Sequence, residues 1–151
     1  MKHSRISTSD LLRETARLFT RSQRAVAECC GATSTQCHVL VELSSAGPLS
    51  QSELGNRLVL EKSWVSRAID AMAVQGLVVK KKNPDDARSW QVSLTAKGRR
   101  TANDLNLSLN AHTEQILHRL SASERKQLEA TLSTLVVALR DATAVSELPT
   151  A

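Results

Sequence analysis

The chain has 151 residues and a formal charge of +5, a length that suits one domain with a real core and leaves no room for two. No apolar run approaches the ~18 residues of a membrane span, and the opening MKHSRISTSD lacks the apolar core of a signal peptide, so a cytoplasmic protein with no membrane partner is expected. With one Phe, two Trp and no Tyr the core must be aliphatic and stacking on single-stranded bases is disfavoured, while the basic excess favours a polyanionic partner.

Residues 1–7 are polar and are expected to be mobile. Ser7-x-x-Asp10 caps a first helix, whose apolar face is Leu11, Leu12, Leu18, Phe19 and Val26 and whose end near Cys30 is set by Gly31. Thr33-x-x-Gln36 has the spacing of a capping box and opens a helix through Val39, Leu40 and Leu43 that Gly47-Pro48 stops. A second such box, Ser50-x-x-Glu53, opens a short helix with Leu54 and Leu58 that ends near Val59. The next helix places Val65, Ile69 and Met72 on one stripe beside Ala68 and Ala73, and closes at Gly76. Its opposite face carries Lys62, Ser63, Trp64, Ser66, Arg67 and Asp70. One buried stripe backed by a face of donors and a cation suits a DNA major groove.

Two strand-like runs follow. Leu77-Val78-Val79 leads into Lys80-Lys81-Lys82, and Ser89 to Leu94 alternates Trp90, Val92 and Leu94 with polar residues. Between them Asn83-Pro84-Asp85-Asp86-Ala87-Arg88 is a turn ending on a cation. After Thr95 a long helical pattern runs to Leu120 with Ala102, Leu105, Leu109 and Ile116 in its spine, and Ser121-x-x-Glu124 starts a last helix with Leu128, Leu132, Leu135, Val136 and Leu139. The tail from Val145 has no pattern, and the chain holds no internal repeat.

The expected fold is therefore mainly α with a small β-hairpin wing: a winged helix-turn-helix with a helical dimerisation region. It resembles the MarR family of bacterial transcription regulators in Ser63-x-Val65-Ser66-Arg67, Gly76-Leu77-Val78, Asp86-x-Arg88 and Leu94-Thr95-x-x-Gly98. That likeness covers about Thr8 to Ala142 and is specific as a combination. It implies a single domain over 1–151, with a DNA-binding winged helix at about 33–98 and dimerisation helices at about 8–30 and 98–143. The long helix, ~25 residues and on the order of 38 Å, exceeds what one winged domain needs, which points to a homodimer that exchanges terminal helices.

Two copies of the Lys62–Gln75 helix are then expected in successive major grooves of a palindromic double-stranded operator, about one helical turn apart. Arg67 suits a guanine edge or a phosphate, and Lys62, Ser63, Trp64 and Ser66 suit backbone or thymine methyls. Lys80, Lys81 and Lys82 add a basic strand. The resemblance implies that Arg88 enters the minor groove, oriented by Asp86 through a charge-assisted bond. Trp64 departs from the family pattern, which commonly has a small polar residue there.

Cys29, Cys30 and Cys37 lie within nine residues. A reducing compartment argues against a structural disulfide, and the start of the second helix favours a lowered Cys37 pKa. The bland reading is that all three are small buried hydrophobes. The sharper one is an inducer site: three soft ligands without an obvious fourth suit trivalent arsenic or antimony, whereas zinc wants a tetrahedron to which His112 or His118 would have to contribute. His38 points about 100° away from Cys37 around the helix. A thiol-oxidation sensor and an aromatic-ligand sensor with inert cysteines are the alternatives, so the expected function is a repressor released from its operator by an inducer, with no cofactor required. An enzyme is not expected. Cys37-His38 are adjacent on a helix and diverge, and there is no H-E-x-x-H, P-loop or dinucleotide turn.

Overall fold

The computed structural model describes residues 6–84, 86 and 88–146. The polar start at residues 1–5, Asp85 and Ala87 at the wing tip, and the end of the tail at 147–151 lie outside the described residues. Two compact units divide the chain, one up to Ala111 and one from His112. In the first are α1 (Thr8–Cys29), α2 (Ser34–Ala46), β1 (Leu49–Ser50), α3 (Gln51–Leu58), α4 (Lys62–Val74), β2 (Val78–Lys82), β3 (Trp90–Leu94) and the greater part of α5 (Ala96–Leu117). The second holds the last residues of α5 and all of α6 (Ala122–Ser146).

Local chemistry starts the helices where the caps stand. Ser7 accepts the Asp10 amide at 3.1 Å. Thr33 and Gln36 bond reciprocally, as do Ser50 and Glu53, so each box satisfies two of the free donors of a helix start. The backbone N–H of Ser50, and that of Ser121, holds the carboxyl of Glu53 or Glu124 below its ordinary pKa. A depressed folded-state pKa means that this support is complete above the ordinary carboxylate range and fades as the pH falls through the folded value. At the other end of α4, Gly76 takes φ +71°, and the Leu77 amide returns to the Met72 carbonyl at 2.9 Å, the left-handed closure that glycine favours. Val59 closes α3 at φ 52° without being glycine, a strained turn between α3 and α4. The tail begins later than expected, since α6 continues through Val145 to Ser146.

The sheet is antiparallel with order β1-β3-β2. β2 and β3 form the expected hairpin, from Val78 opposite Leu94 to Lys82 opposite Trp90. The two-residue β1 is not among the strands expected from sequence; it pairs Leu49 with Val92. Val92 and Leu94 are buried, but Trp90 is 47% exposed, because its register opposite Lys82 puts it at the tip end of the hairpin. The core of the first unit is aliphatic: Val39, Leu40, Leu54, Val65, Ile69, Met72, Val92 and Leu105 are fully buried. On α1 the apolar face is uncovered, with Leu11, Leu12, Leu18 and Phe19 exposed and Ala27 the buried residue. In the second unit, Arg125 donates to the Leu117 carbonyl and pairs with Glu114. There α6 leaves Leu132, Val136 and Leu139 exposed, one stripe at i, i+4 and i+7.

One junction in the first unit ties α4, β2 and α5 together. The Thr95 amide and hydroxyl both donate to the Leu77 carbonyl, and the hydroxyl reaches the Gly76 carbonyl at 2.6 Å. The same hydroxyl accepts the Gly98 amide at 2.9 Å, capping α5. Gly98 has no spare space: a Cβ there would lie 1.9 Å from the Leu77 carbonyl oxygen. Gly98→Ala is expected to destabilise the fold by about 3 kcal/mol, the upper range for forcing atoms into a packed site, read as a lower urea midpoint with an unchanged slope.

Candidate nucleic-acid interface

The buried stripe of α4, Val65, Ile69 and Met72, locks the helix into the core. Its far side therefore has a fixed orientation: Lys62, Ser63, Trp64 and Arg67 are exposed and Ser66 is half-buried. Trp64 turns outward with 57% of its surface exposed, and the Arg67 guanidinium lies 4.9 Å from the centroid of its ring. Arg67 Nε also donates to the Ser63 carbonyl at 3.3 Å.

The wing divides its cations. Lys80 is half-buried and ion-paired with Asp70 of α4, a residue whose sequence position marks the exposed face but no partner. Lys81 and Lys82 are exposed and have no ion pair among the described residues. At the tip, the Asp86 amide donates to the Asn83 carbonyl and the Ser89 amide to the Asp86 carbonyl. Asp86 does hold Arg88, but through the backbone: its carboxylate accepts the Arg88 amide at 2.9 Å. The expected bond to the guanidinium is not among the described contacts, so the turn is set by an Asx-type bond while the Arg88 side chain stays exposed.

A further tie reaches α4 from the second helix. Gln36 is buried, accepts the Thr33 amide through its side-chain oxygen, and donates through Nε2 to the side chain of Gln75 at 3.1 Å. Gln75 is the C-cap of α4, and its carbonyl accepts from Lys97 at 2.8 Å. Sequence spacing marks Gln36 only as the capping partner of Thr33. Its bond to Gln75 joins separate helices and follows no local pattern.

The cysteines have three different environments. Cys29 is exposed, Cys30 half-buried and Cys37 buried. The Cys30 thiol lies 3.6 Å from the Ser108 hydroxyl. Burial, and then the nearby Cys30 sulfur, push the Cys37 thiol pKa up rather than down. Desolvation of the thiolate outweighs the helix-start effect expected from sequence. No group of three His, Cys, Asp or Glu poised for a metal occurs among the described residues. Cys37 and His38 also line a cavity of about 290 Å³ that is bordered by Phe19, Arg24, Val41 and Leu109.

A helix-turn-helix whose second helix is backed by the core, followed by a basic hairpin, defines a winged helix-turn-helix protein. The MarR family profile matches residues 32–90. The transcriptional regulator AdcR of Streptococcus pneumoniae is 32% identical over 108 residues, 69% of this chain and 73% of that protein. The chain belongs to the MarR family. An HTH-type transcriptional regulator of Bacillus subtilis, YdgJ, is 27% identical over 100 residues, 66% of this chain. That match spans only 61% of YdgJ, less than two thirds of its length. Among solved structures, the apo form of wild-type MarR from E. coli has a TM-score of 0.78 at 22% identity, covering 88% of this chain and 98% of that one. A cysteine-to-serine mutant of the same protein, complexed with operator DNA, has a TM-score of 0.73 at 22% identity, over 84% and 91% of the two chains. These structural likenesses bear on the fold. No helix among the described residues is long and apolar enough to cross a membrane.

Thiol reactivity should follow the three environments. Alkylation by iodoacetamide at neutral pH is expected to modify Cys29 first and Cys37 last, with Cys37 accelerating only above the pH at which an ordinary thiol ionises; peptide mass mapping over time reads the order.

Proposed function

We propose that this chain is a homodimeric, DNA-binding transcription repressor of the cytoplasm, released from a palindromic operator by an inducer. The observation that carries the reading is the two-sidedness of α4, with Val65, Ile69 and Met72 buried and Lys62, Ser63, Trp64 and Arg67 exposed on the other face. A helix held this way presents its donors to base edges without reorganising. Two copies would sit in successive major grooves. Lys81 and Lys82 would neutralise phosphates, and Arg88 would enter the minor groove. Lys80, paired with Asp70, would brace the hairpin against α4. The uncovered apolar stripes of α1 and of α6 support assembly of two copies, because exposed stripes of this length mark an interaction face.

For the inducer, the cysteines support a thiophilic centre for trivalent arsenic or antimony, with Cys30 and Cys37 as neighbours in one chain and further sulfur ligation, Cys29 included, supplied on dimerisation. Zinc would need a nitrogen ligand in addition, and a thiol-oxidation sensor would use the same pair. A second reading is favoured by the cavity beside Cys37: its apolar wall of Phe19, Val41 and Leu109 has the size for a small aromatic ligand, with Arg24, ion-paired to Glu28, among the lining residues.

The DNA arm is tested with a duplex selected from a randomised pool. Arg67→Ala and Arg88→Ala are each expected to weaken binding to it by ~10-fold or more, given about 1–3 kcal/mol for a good base contact. Unchanged affinity for both variants at fixed salt would sink the reading. The inducer arm titrates antimonite, arsenite, zinc, hydrogen peroxide and benzoate against the preformed complex. Release by a metalloid that disappears in the Cys29→Ser/Cys30→Ser/Cys37→Ser variant supports the thiolate site. Full release of that variant by the same metalloid overturns it, and release by benzoate that is abolished in Arg24→Ala selects the cavity.

A further inference from the structure

Trp64 stands where a reading head has most use for a flat, rigid surface, and its geometry ties it to a single neighbour. It lies one turn before Arg67 on α4, mostly exposed, with the guanidinium 4.9 Å from its ring centroid. Arg67 Nε is engaged by the Ser63 carbonyl at 3.3 Å. One face of the guanidinium is thus covered by an indole, and its Nε–H is engaged by a carbonyl, both from its own helix. The Nη groups have no protein partner among the described residues and are left to the solvent side. Those groups are the ones that pair with the O6 and N7 acceptors of guanine as a fork. A free arginine samples many rotamers and meets phosphate as readily as base; an arginine stacked on a tryptophan and tethered at Nε offers mainly its fork.

We propose that Trp64 is a positioning residue for sequence readout: it holds Arg67 flat, so that the pair discriminates guanine at one operator position, rather than contacting DNA as an independent anchor. The inference rests on the DNA-binding reading above. It assigns the specificity to a coupled pair and explains how a large aromatic is accommodated on a face otherwise made of small donors and cations. A cation over an indole contributes little at an exposed site, so the effect is expected in discrimination more than in total affinity.

The experiment uses the full chain, a duplex that the wild type selects from a randomised pool, and a scrambled duplex of equal length. Trp64→Ala is expected to weaken binding to the selected duplex about 5-fold, in line with the removal of an exposed cation–π interaction and of the order it imposes on Arg67, and to leave the scrambled duplex unchanged. Trp64→Phe, which keeps a π face, should stay within about 2-fold of wild type, whereas Trp64→Leu, which keeps bulk without a π face, should behave as Ala does. In an Arg67→Ala background the Trp64→Ala change should cost nothing further, as a shared interaction requires in a double-mutant cycle. An equal loss in both backgrounds, or rescue by Leu as good as by Phe, overturns the proposal while leaving DNA reading intact. A wild type that selects no sequence overturns both. Circular dichroism and urea midpoints of the variants are expected to match wild type, since truncating a side chain this exposed opens no cavity.

Discussion

The structure depends on a close approach of two backbones, Leu77 to Gly98. Only a residue without a side chain lets the first turn of α5 come so near the Leu77 carbonyl, and the Thr95 hydroxyl then bonds to the end of α4 on one side and the start of α5 on the other. Three elements meet there: α4, the strand β2 that begins the wing, and the long helix α5. Because the α4 end, the β2 start and the α5 start share carbonyls and donors, none of them can turn independently of the others. The Leu94-Thr95-x-x-Gly98 signature is in this sense mechanical. It places a hydroxyl and a missing side chain at a point where α4, the wing and α5 are fastened together.

Much of the fold was legible because its signals are local. The boxes at Thr33–Gln36, Ser50–Glu53 and Ser121–Glu124 need only a spacing of three, and each starts a helix as read. The stripe Val65, Ile69, Met72 is periodic and buried. What could not be read is set by contacts between distant parts of the chain. The pairing of Leu49 with Val92 joins residues too far apart for any periodicity to show, and the Asp70–Lys80 and Gln36–Gln75 contacts each join separate elements. Trp90 shares the alternation of Val92 and Leu94 in sequence, but only the hairpin register shows that it lies beyond the core.

The thiols show the same division. Their clustering is visible in sequence, but their reactivity depends on how much water each one sees, which depends on the fold. Cys37 lies within the first turns of α2, where position alone argues for an acidic thiol; packing among apolar neighbours reverses the sign. A candidate effector site read from residue types therefore needs burial before its chemistry can be stated. Here burial leaves Cys29 open, Cys30 intermediate and Cys37 enclosed beside a cavity.

The bond between Asp70 and Lys80 has a consequence for how salt acts on this protein. Duplex DNA sheds roughly 0.9 condensed counterions for each phosphate that a cation neutralises. A lysine whose charge is already balanced by a carboxylate of the same chain releases almost none. If the wing lies on DNA as proposed, its three consecutive lysines would shed the counterions of two, and its hold would depend less on ionic strength than a tally of its basic residues suggests.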